Sequence, residues 1–245
     1  MSRISSAPVY PEAPMMPTRR GPPVGAEGKL VNAIRIIIRT GVWEYNDPPA
    51  GPWKHDPVSS GYSLPSTRGR LLVAAPPLGD PNFDRTVVFM LDHNEAGAIG
   101  VVLNRASPEL QIEVDQWRDL IAPPYGMFGG GPVDPRALIG LGLVPATTPD
   151  GQRIESVECI EPVDLDEDPS DMEHPPTRVR IFHGYAGWGP QQLDGELELG
   201  AWIVVDALAR DVFTDQPEGL WRTVLARQRG EAAWLADCPT DASLN

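Results

Sequence analysis

Residues 69–105, GRLLVAAPPLGDPNFDRTVVFMLDHNEAGAIGVVLNR, leave this chain less conformational freedom than any other stretch of it. Three apolar runs, at 70–75, 86–91 and 98–103, are short, rich in Val and Leu, and bounded by Pro, Asp, Asn and Gly, which is the pattern of strands. A Pro-rich connection joins the first run to the second. A turn at 94–97 joins the second to the third, so the three read as a meander. The polar residues Asp80, Arg85, His93, Asn104 and Arg105 stand where these strands begin or end.

Downstream, 114–121 places Trp117, Leu120 and Ile121 at helical spacing, and Pro123-Pro124 stops that helix. Runs at 138–144, 154–160, 178–183 and 202–205 read as further strands, and the acidic stretch 164–173 as a loop or a poor helix. Helices are expected at 190–199, with Pro190 at the start and Gly200 past the end, and at 217–229, where Leu220, Trp221, Val224 and Leu225 form one stripe. Strands outnumber helices and several neighbours are hairpin-linked. The expected class is therefore α+β in a single domain, with a mainly antiparallel sheet and a few flanking helices.

Composition divides the chain near residue 68. Residues 1–68 hold eleven of the 28 prolines and carry eight basic and five acidic residues, a net of +3; residues 69–245 carry 12 basic and 29 acidic residues, a net of −17. The first part is expected to be a largely disordered or loosely docked Pro-rich extension. Its β-branched run VNAIRIIIRT (31–40) is either an extra edge strand or a short amphipathic segment, unless translation starts downstream and the extension is never made. The second part, residues 69–245, is expected to be the folded domain, large enough to bury about 70% of the surface of its unfolded chain. So acidic a domain repels phosphate backbones, which argues against nucleic acid as a partner. No apolar run reaches the ~20 residues of a bilayer span, and the N-terminus lacks the apolar core of a secretory signal. A soluble, cytoplasmic protein is the expectation.

Most familiar chemistries are missing. Residues 69–245 contain no lysine, which removes Schiff-base chemistry and the phosphate-loop lysine. Neither GxSxG nor GxGxxG occurs, and the serines of this part (Ser107, Ser156, Ser170, Ser243) have no nucleophile elbow around them. Asp164, Asp166 and Asp168 begin like a calcium loop, but Pro169 stands where the sharp turn needs glycine. Cys159 and Cys238 form no CxxC, and His93, His174 and His183 are scattered, so neither a metal nor a cofactor is expected. Asp92 beside His93 could orient a general base, but adjacent strand residues point to opposite faces.

Two glycine-rich segments remain. In Phe128-Gly129-Gly130-Gly131-Pro132-Val133 the backbone can take φ > 0 or admit another group closely. Residues 183–192, HGYAGWGPQQ, read as a strand, a glycine loop and a helix start whose free N–H groups suit an anion. There Gly187, Trp188 and Gln191 either wall a ligand site, or Trp188 plugs the core under a tight connection. Arg85 and Arg105 are placed at one end of the sheet with Asp80 close by, as an Asp–Arg lock on the turn or as two cations for an anionic ligand.

The block 69–105, then GGPV at 130–133, then GYAGWGPQQLDGELELGAWIV at 184–204, resemble in order and spacing the three signature stretches of the AlgH/YqgE family. Asn104-Arg105-Ala106 departs from the usual Asn-Arg-Pro, and the 1–68 extension is foreign to typical members. The resemblance implies a bifurcated, mostly antiparallel sheet folded into a pseudo-barrel, and it brings no reaction with it. The leading functional expectation is a non-catalytic domain that binds a small ligand or a protein partner through Asp80, Arg85, His93, Asn104, Arg105, Gly130, Gly131, Gly187, Trp188 and Gln191. The alternatives are an enzyme using Asp80, His93 or Arg105 on an anionic metabolite, and a transcriptional regulator, acting more plausibly through a protein partner than on DNA.

Overall fold

The apolar runs of the meander are buried on both faces, and the rest of the architecture follows from that. A computed structural model describes residues 65–76, 80–107, 110, 114–147 and 153–238; of the expected 1–68 extension, residues 1–64, including the 31–40 run, lie outside the described residues. Strands β1 (Arg70–Ala74), β2 (Val87–Asn94) and β3 (Gly97–Val102) pair antiparallel in the expected meander. Along them, Leu71, Val73, Val87, Phe89, Leu91, Ile99 and Val101 enter one apolar cluster, while Leu72, Ala74, Val88, Met90, Ala98 and Val102 enter another on the opposite face. Burial on both faces explains why these strands read as unbroken apolar runs without a polar alternation.

Beyond the meander come β4 (Ala106–Ser107), β5 (Met127–Gly129), β6 (Val133–Thr147), β7 (Arg153–Val163), β8 (Arg178–Trp188) and β9 (Trp202–Asp206). The spatial order is β4-β5-β8-β3-β2-β1-β9, with β6 pairing both β7 and β8. All named pairs are antiparallel except β5 with β8. The sheet is thus mixed but mostly antiparallel, and it curls into a half-barrel with a few helices, an α+β domain.

The fork lies on β8. Its first half pairs with β6 (Leu138 opposite His183, Leu143 opposite Arg178) and with β5 (Met127 opposite Ile181, Gly129 opposite His183). Its second half pairs with β3, Ala186 opposite Gly100 and Trp188 opposite Ala98. Between them stands Gly184 at φ 66°, a left-handed bend that glycine takes without strain. The sequence suggested a strand ending before this point and a glycine loop after it. Instead the glycines continue the strand, since bare backbone is what allows β8 to turn from one branch of the sheet to the other.

The longer strands also exceed their expected lengths. Pro135 and Pro145 fall where the β6 register slips, and Pro162 lies on β7, which pairs only with β6, so the three prolines occupy positions that sheets tolerate. The helix expected at 114–121 is a 3-10 stretch, Asp115–Leu120, whose Trp117 is fully buried and donates its indole N–H to the Leu165 carbonyl at 3.1 Å. The α-helices are short: α1 (Gln192–Glu198), α2 (Ala209–Val212), α3 (Leu220–Ala226) and α4 (Glu231–Leu235). Helix α3 lays Leu220, Trp221, Val224 and Leu225 on the first apolar cluster, and the Trp221 indole N–H reaches the Ala74 carbonyl at 2.9 Å.

Residues upstream of the expected domain start also touch the sheet. The Ser66 hydroxyl donates to the His93 carbonyl at 2.9 Å, and the Thr67 N–H donates to His93 Nδ1 at 3.2 Å. A fragment of residues 65–245 is expected to melt with the full chain. A fragment of 69–245 is expected to be less stable by about 1–2 kcal/mol, the worth of two or three such hydrogen bonds. Equal stability of the two fragments in urea unfolding would show that this contact contributes nothing.

Candidate functional site

The strip β4-β5-β8 sets side by side residues that are far apart in sequence. Arg105 accepts the Gly129 N–H at 2.8 Å through its carbonyl, and Gly129 in turn pairs with His183. Ser107, two residues beyond Arg105, lies on the same face of the strip. Gly129 has no side chain. A Cβ built there would lie 3.6 Å from His183 Nε2, 3.7 Å from Ser107 Oγ and 3.8 Å from Arg105 Cβ. Arg105, Ser107 and His183 therefore surround the space a side chain would fill, and His183 Nε2 reaches Ser107 Oγ at 3.2 Å.

A cleft of about 190 Å³ opens at this point, bordered by Asn82, Val102, Arg105, Gly129, Gly131 and Pro132. Gly129 and Gly131 form its glycine wall, with Gly130 between them in the chain. Gly130 ties β3 to β8 by accepting the Val102 N–H and donating to the His183 carbonyl, both at 2.8 Å. Gly131 packs so tightly that a Cβ would sit 2.2 Å from the Tyr185 carbonyl carbon. Asp80 shapes the other wall: its carboxylate accepts the Asn82 N–H at 2.8 Å in a side-chain-closed turn. The exposed Arg105 guanidinium makes a long contact, 3.4 Å, to the Pro81 carbonyl, and among the described residues no carboxylate stands within ion-pair distance of it.

Arg85 and Asn104 hold the start of β2. Asn104 accepts the Val87 N–H at 2.9 Å and donates to the Arg85 carbonyl at 2.8 Å, replacing ladder bonds with a side-chain amide. Arg85, at φ 51°, lies over the Trp221 ring at 4.9 Å and donates to the Cys238 carbonyl at 3.2 Å. The guanidinium is thereby engaged with the C-terminal helices.

His93 belongs to a separate network at the far end of β2. Asp92 spends its carboxylate on the His93 and Asn94 N–H groups and does not orient the ring. A carboxylate 101 residues downstream faces it instead: Asp194 on α1, whose Oδ1 lies 3.6 Å from His93 Nε2 and is buried without a hydrogen bond. On the other side, Thr67 Oγ1 is 3.1 Å from Nδ1. This Asp–His–Thr line resembles a catalytic relay, but Thr67 is only 3% exposed and its own backbone N–H already occupies Nδ1. It clamps β2, α1 and the entering chain together.

Trp188 is 1% exposed, beside Phe83 and Trp202 with ring centroids 6.2 and 5.9 Å away. One carboxylate oxygen of Glu196 accepts both indole N–H groups, from Trp188 at 2.9 Å and Trp202 at 2.7 Å. Gly187 pairs with Ile99, and Gln191 is exposed at φ 60°. Of the ten candidates, Arg105 and Gly131 border the cleft, and Asp80 and Gly130 adjoin it in sequence. His93, Gly187, Trp188 and Gln191 gather at the other end of the second apolar cluster. Ser107 and His183 escaped the sequence reading because no local pattern marks a pair 76 residues apart; the parallel β5–β8 pairing makes them neighbours.

One further cation is sealed in the core. Arg180 is 1% exposed, donates to the Thr214 and Pro123 carbonyls at 2.9 and 2.6 Å, and lies over the Phe128 ring at 4.2 Å. Burial pulls its pKa down to about 10, with Asp215 acting the other way, so it stays charged at neutral pH.

A mostly antiparallel sheet that forks on one strand, with a glycine-walled cleft at the fork, defines the kind of protein this is. The AlgH-like family model (DUF179) matches residues 71–233, and the chain belongs to that family. It is 46% identical over 195 residues to a UPF0301 protein of Streptomyces avermitilis, covering 77% of this chain and all of that one. With a UPF0301 protein of Mycobacteroides abscessus it shares 39% identity over 206 residues, covering 79% and 97%. The crystal structure of protein DIP2367 from Corynebacterium diphtheriae matches with a TM-score of 0.62 at 28% identity, over 71% of this chain and 93% of that one.

The burial of Trp188 sets an expected outcome. Trp188→Ala should cost ~3–5 kcal/mol, the usual range for emptying a buried tryptophan site, and should leave Trp202 as the one indole donor to Glu196. A thermal melt within ~2 °C of wild type would place the indole outside the load of the fold.

Proposed function

We propose that this protein binds a small anionic ligand, a carboxylate or a phosphate ester, in the cleft at Arg105. The observation that carries this reading is the guanidinium of Arg105 at the cleft, without a carboxylate partner among the described residues, in a part of the chain where acidic residues outnumber basic ones 29 to 12. A planar guanidinium offers a fork of donors matched to two oxygens of a carboxylate or phosphate. The bare backbone of Gly129 and Gly131 lets a ligand come close on the opposite wall.

Size narrows the ligand. A cleft of about 190 Å³ is smaller than the ~300–1,000 Å³ that holds drug-sized molecules, so a metabolite of a few heavy atoms fits and a dinucleotide does not. The acidic surroundings act in the same sense, because they repel a polyanion over a long range while one anion can settle against one arginine.

Thermal-shift titration with a panel of small carboxylates and phosphate esters tests the proposal. A ligand at a hundred times its Kd is expected to raise stability by about 2.7 kcal/mol. Arg105→Gln should abolish that gain while leaving the unliganded melt within about 0.5 kcal/mol, since the residue is exposed. Equal stabilisation of both proteins by the same ligand would refute the Arg105 site.

A further inference from the structure

Holding an anion requires Arg105 and the glycine wall, and it leaves the Ser107–His183 pair without a task. We propose that Ser107 is an acylatable nucleophile with His183 as its general base, and that the cleft takes and cleaves a small ester bearing an anionic group. The substrate class rests on the Arg105 reading; the nucleophile does not.

Three observations carry the pair. His183 Nε2 and Ser107 Oγ are 3.2 Å apart, within the reach a base needs to take a hydroxyl proton. Both sit on hydrogen-bonded strands, so their relative position is set by the ladder: Ser107 opposite Met127, Gly129 opposite His183. The imidazole meets the hydroxyl diagonally across Gly129, a position with no Cβ to come between them. Moreover, both residues are half-buried and adjoin Gly129, which lines the cleft.

The chain contains its own control. Thr67 and His93 show a similar hydroxyl–imidazole distance, 3.1 Å, but both are buried, and a backbone N–H already donates to that ring nitrogen. At Ser107 no backbone N–H competes for His183 Nε2 among the described residues. The two pairs therefore differ in access and in the freedom of the basic lone pair, which are the properties a nucleophilic dyad needs.

Arg105, just before β4, and Ser107, on it, are two residues apart on one side of the strip, a separation of roughly 7 Å along the chain. An anion held by Arg105 thus places an acyl carbon only a few bonds away at Ser107 Oγ. Ser107 Oγ attacks that carbon as its proton passes to His183 Nε2. The bond from the acyl carbon to the leaving oxygen breaks, and the leaving alkoxide takes the proton from Nε2. Water then attacks the acyl-Ser107 ester, gives its proton to Nε2, and the carboxylic acid departs as Oγ recovers a proton. Water is the only co-reactant.

The test uses the full chain and a neutral alkyl fluorophosphonate, which needs no anion anchor: Ser107 Oγ forms a bond to phosphorus, fluoride leaves, and the hydroxyl proton goes to His183. Intact mass and peptide mapping should find one adduct per chain on tryptic peptide 106–118, whose only serine is Ser107. Ser107→Ala should abolish it, and His183→Gln should slow it about a hundredfold. A melt of each variant reports folding. Should His183→Gln fail to fold, His183→Asn takes its place, and Ser107→Ala decides the adduct's position in either case. Absence of an adduct on the wild-type chain, or one that survives Ser107→Ala, overturns the proposal. Failure of the Arg105 titrations with the adduct retained would instead overturn only the substrate's anionic group.

Discussion

Strand β8 belongs to both branches of the sheet, and it can do so because the backbones of 130–131 and 184–186 approach more closely than side chains allow. A Cβ at Gly130 would lie 2.3 Å from the Gly184 carbonyl oxygen, and one at Gly184 would lie 2.7 Å from the Gly131 carbonyl oxygen. These are contacts with backbone, which has no flexible end to move aside. Glycine on both sides of the approach lets β8 bend at φ 66° and change partners from β5 and β6 to β3 without losing its ladder. The half-barrel, the two apolar clusters and the cleft depend on that fork.

A cleft at a fork has a simple physical origin. Where two branches of a sheet diverge, backbone groups and side chains at the edges lose neighbours, and the space cannot be filled by either branch. Here Gly129 and Gly131 line it with bare backbone, Arg105 borders it, and the Ser107 hydroxyl and the His183 imidazole meet beside Gly129. Elsewhere the molecule uses the same residue types to close gaps. Arg85 lies against Trp221, Arg180 against Phe128 and two carbonyls, and His93 against Thr67 and Asp194. The contrast between engaged and accessible polar groups separates the fold's own clamps from the site.

The tryptophans illustrate the same economy. Trp188 and Trp202 share one carboxylate oxygen of Glu196, and Trp117 and Trp221 donate to the carbonyls of Leu165 and Ala74. Each indole brings a large apolar surface into a core while its N–H is satisfied locally, so the polar handle costs little when buried. Within the second apolar cluster this arrangement ties α1 to the end of β8 and to β9.

The meander, the Pro–Gly bracketing of α1, the apolar stripe of α3 and the division between a basic Pro-rich part and an acidic periodic part were all legible in the residues, because each is a local matter of period, turn chemistry or charge. So was the close backbone approach at Gly130 and Gly131, which stand in conspicuous local company. The 3-10 form of 115–120 and the continuation of β8 through 184–188 were not, since tertiary pairing decided them against local preference. Asp194 opposite His93 and Ser107 opposite His183 were equally invisible, at separations of 101 and 76 residues. Sequence by itself determined the strands of the meander and the turn between β2 and β3. Only the tertiary structure decided which strand lies beside which, and a hydroxyl becomes a neighbour of an imidazole through that choice alone, because strand order is set by packing between distant segments and leaves no trace in either one.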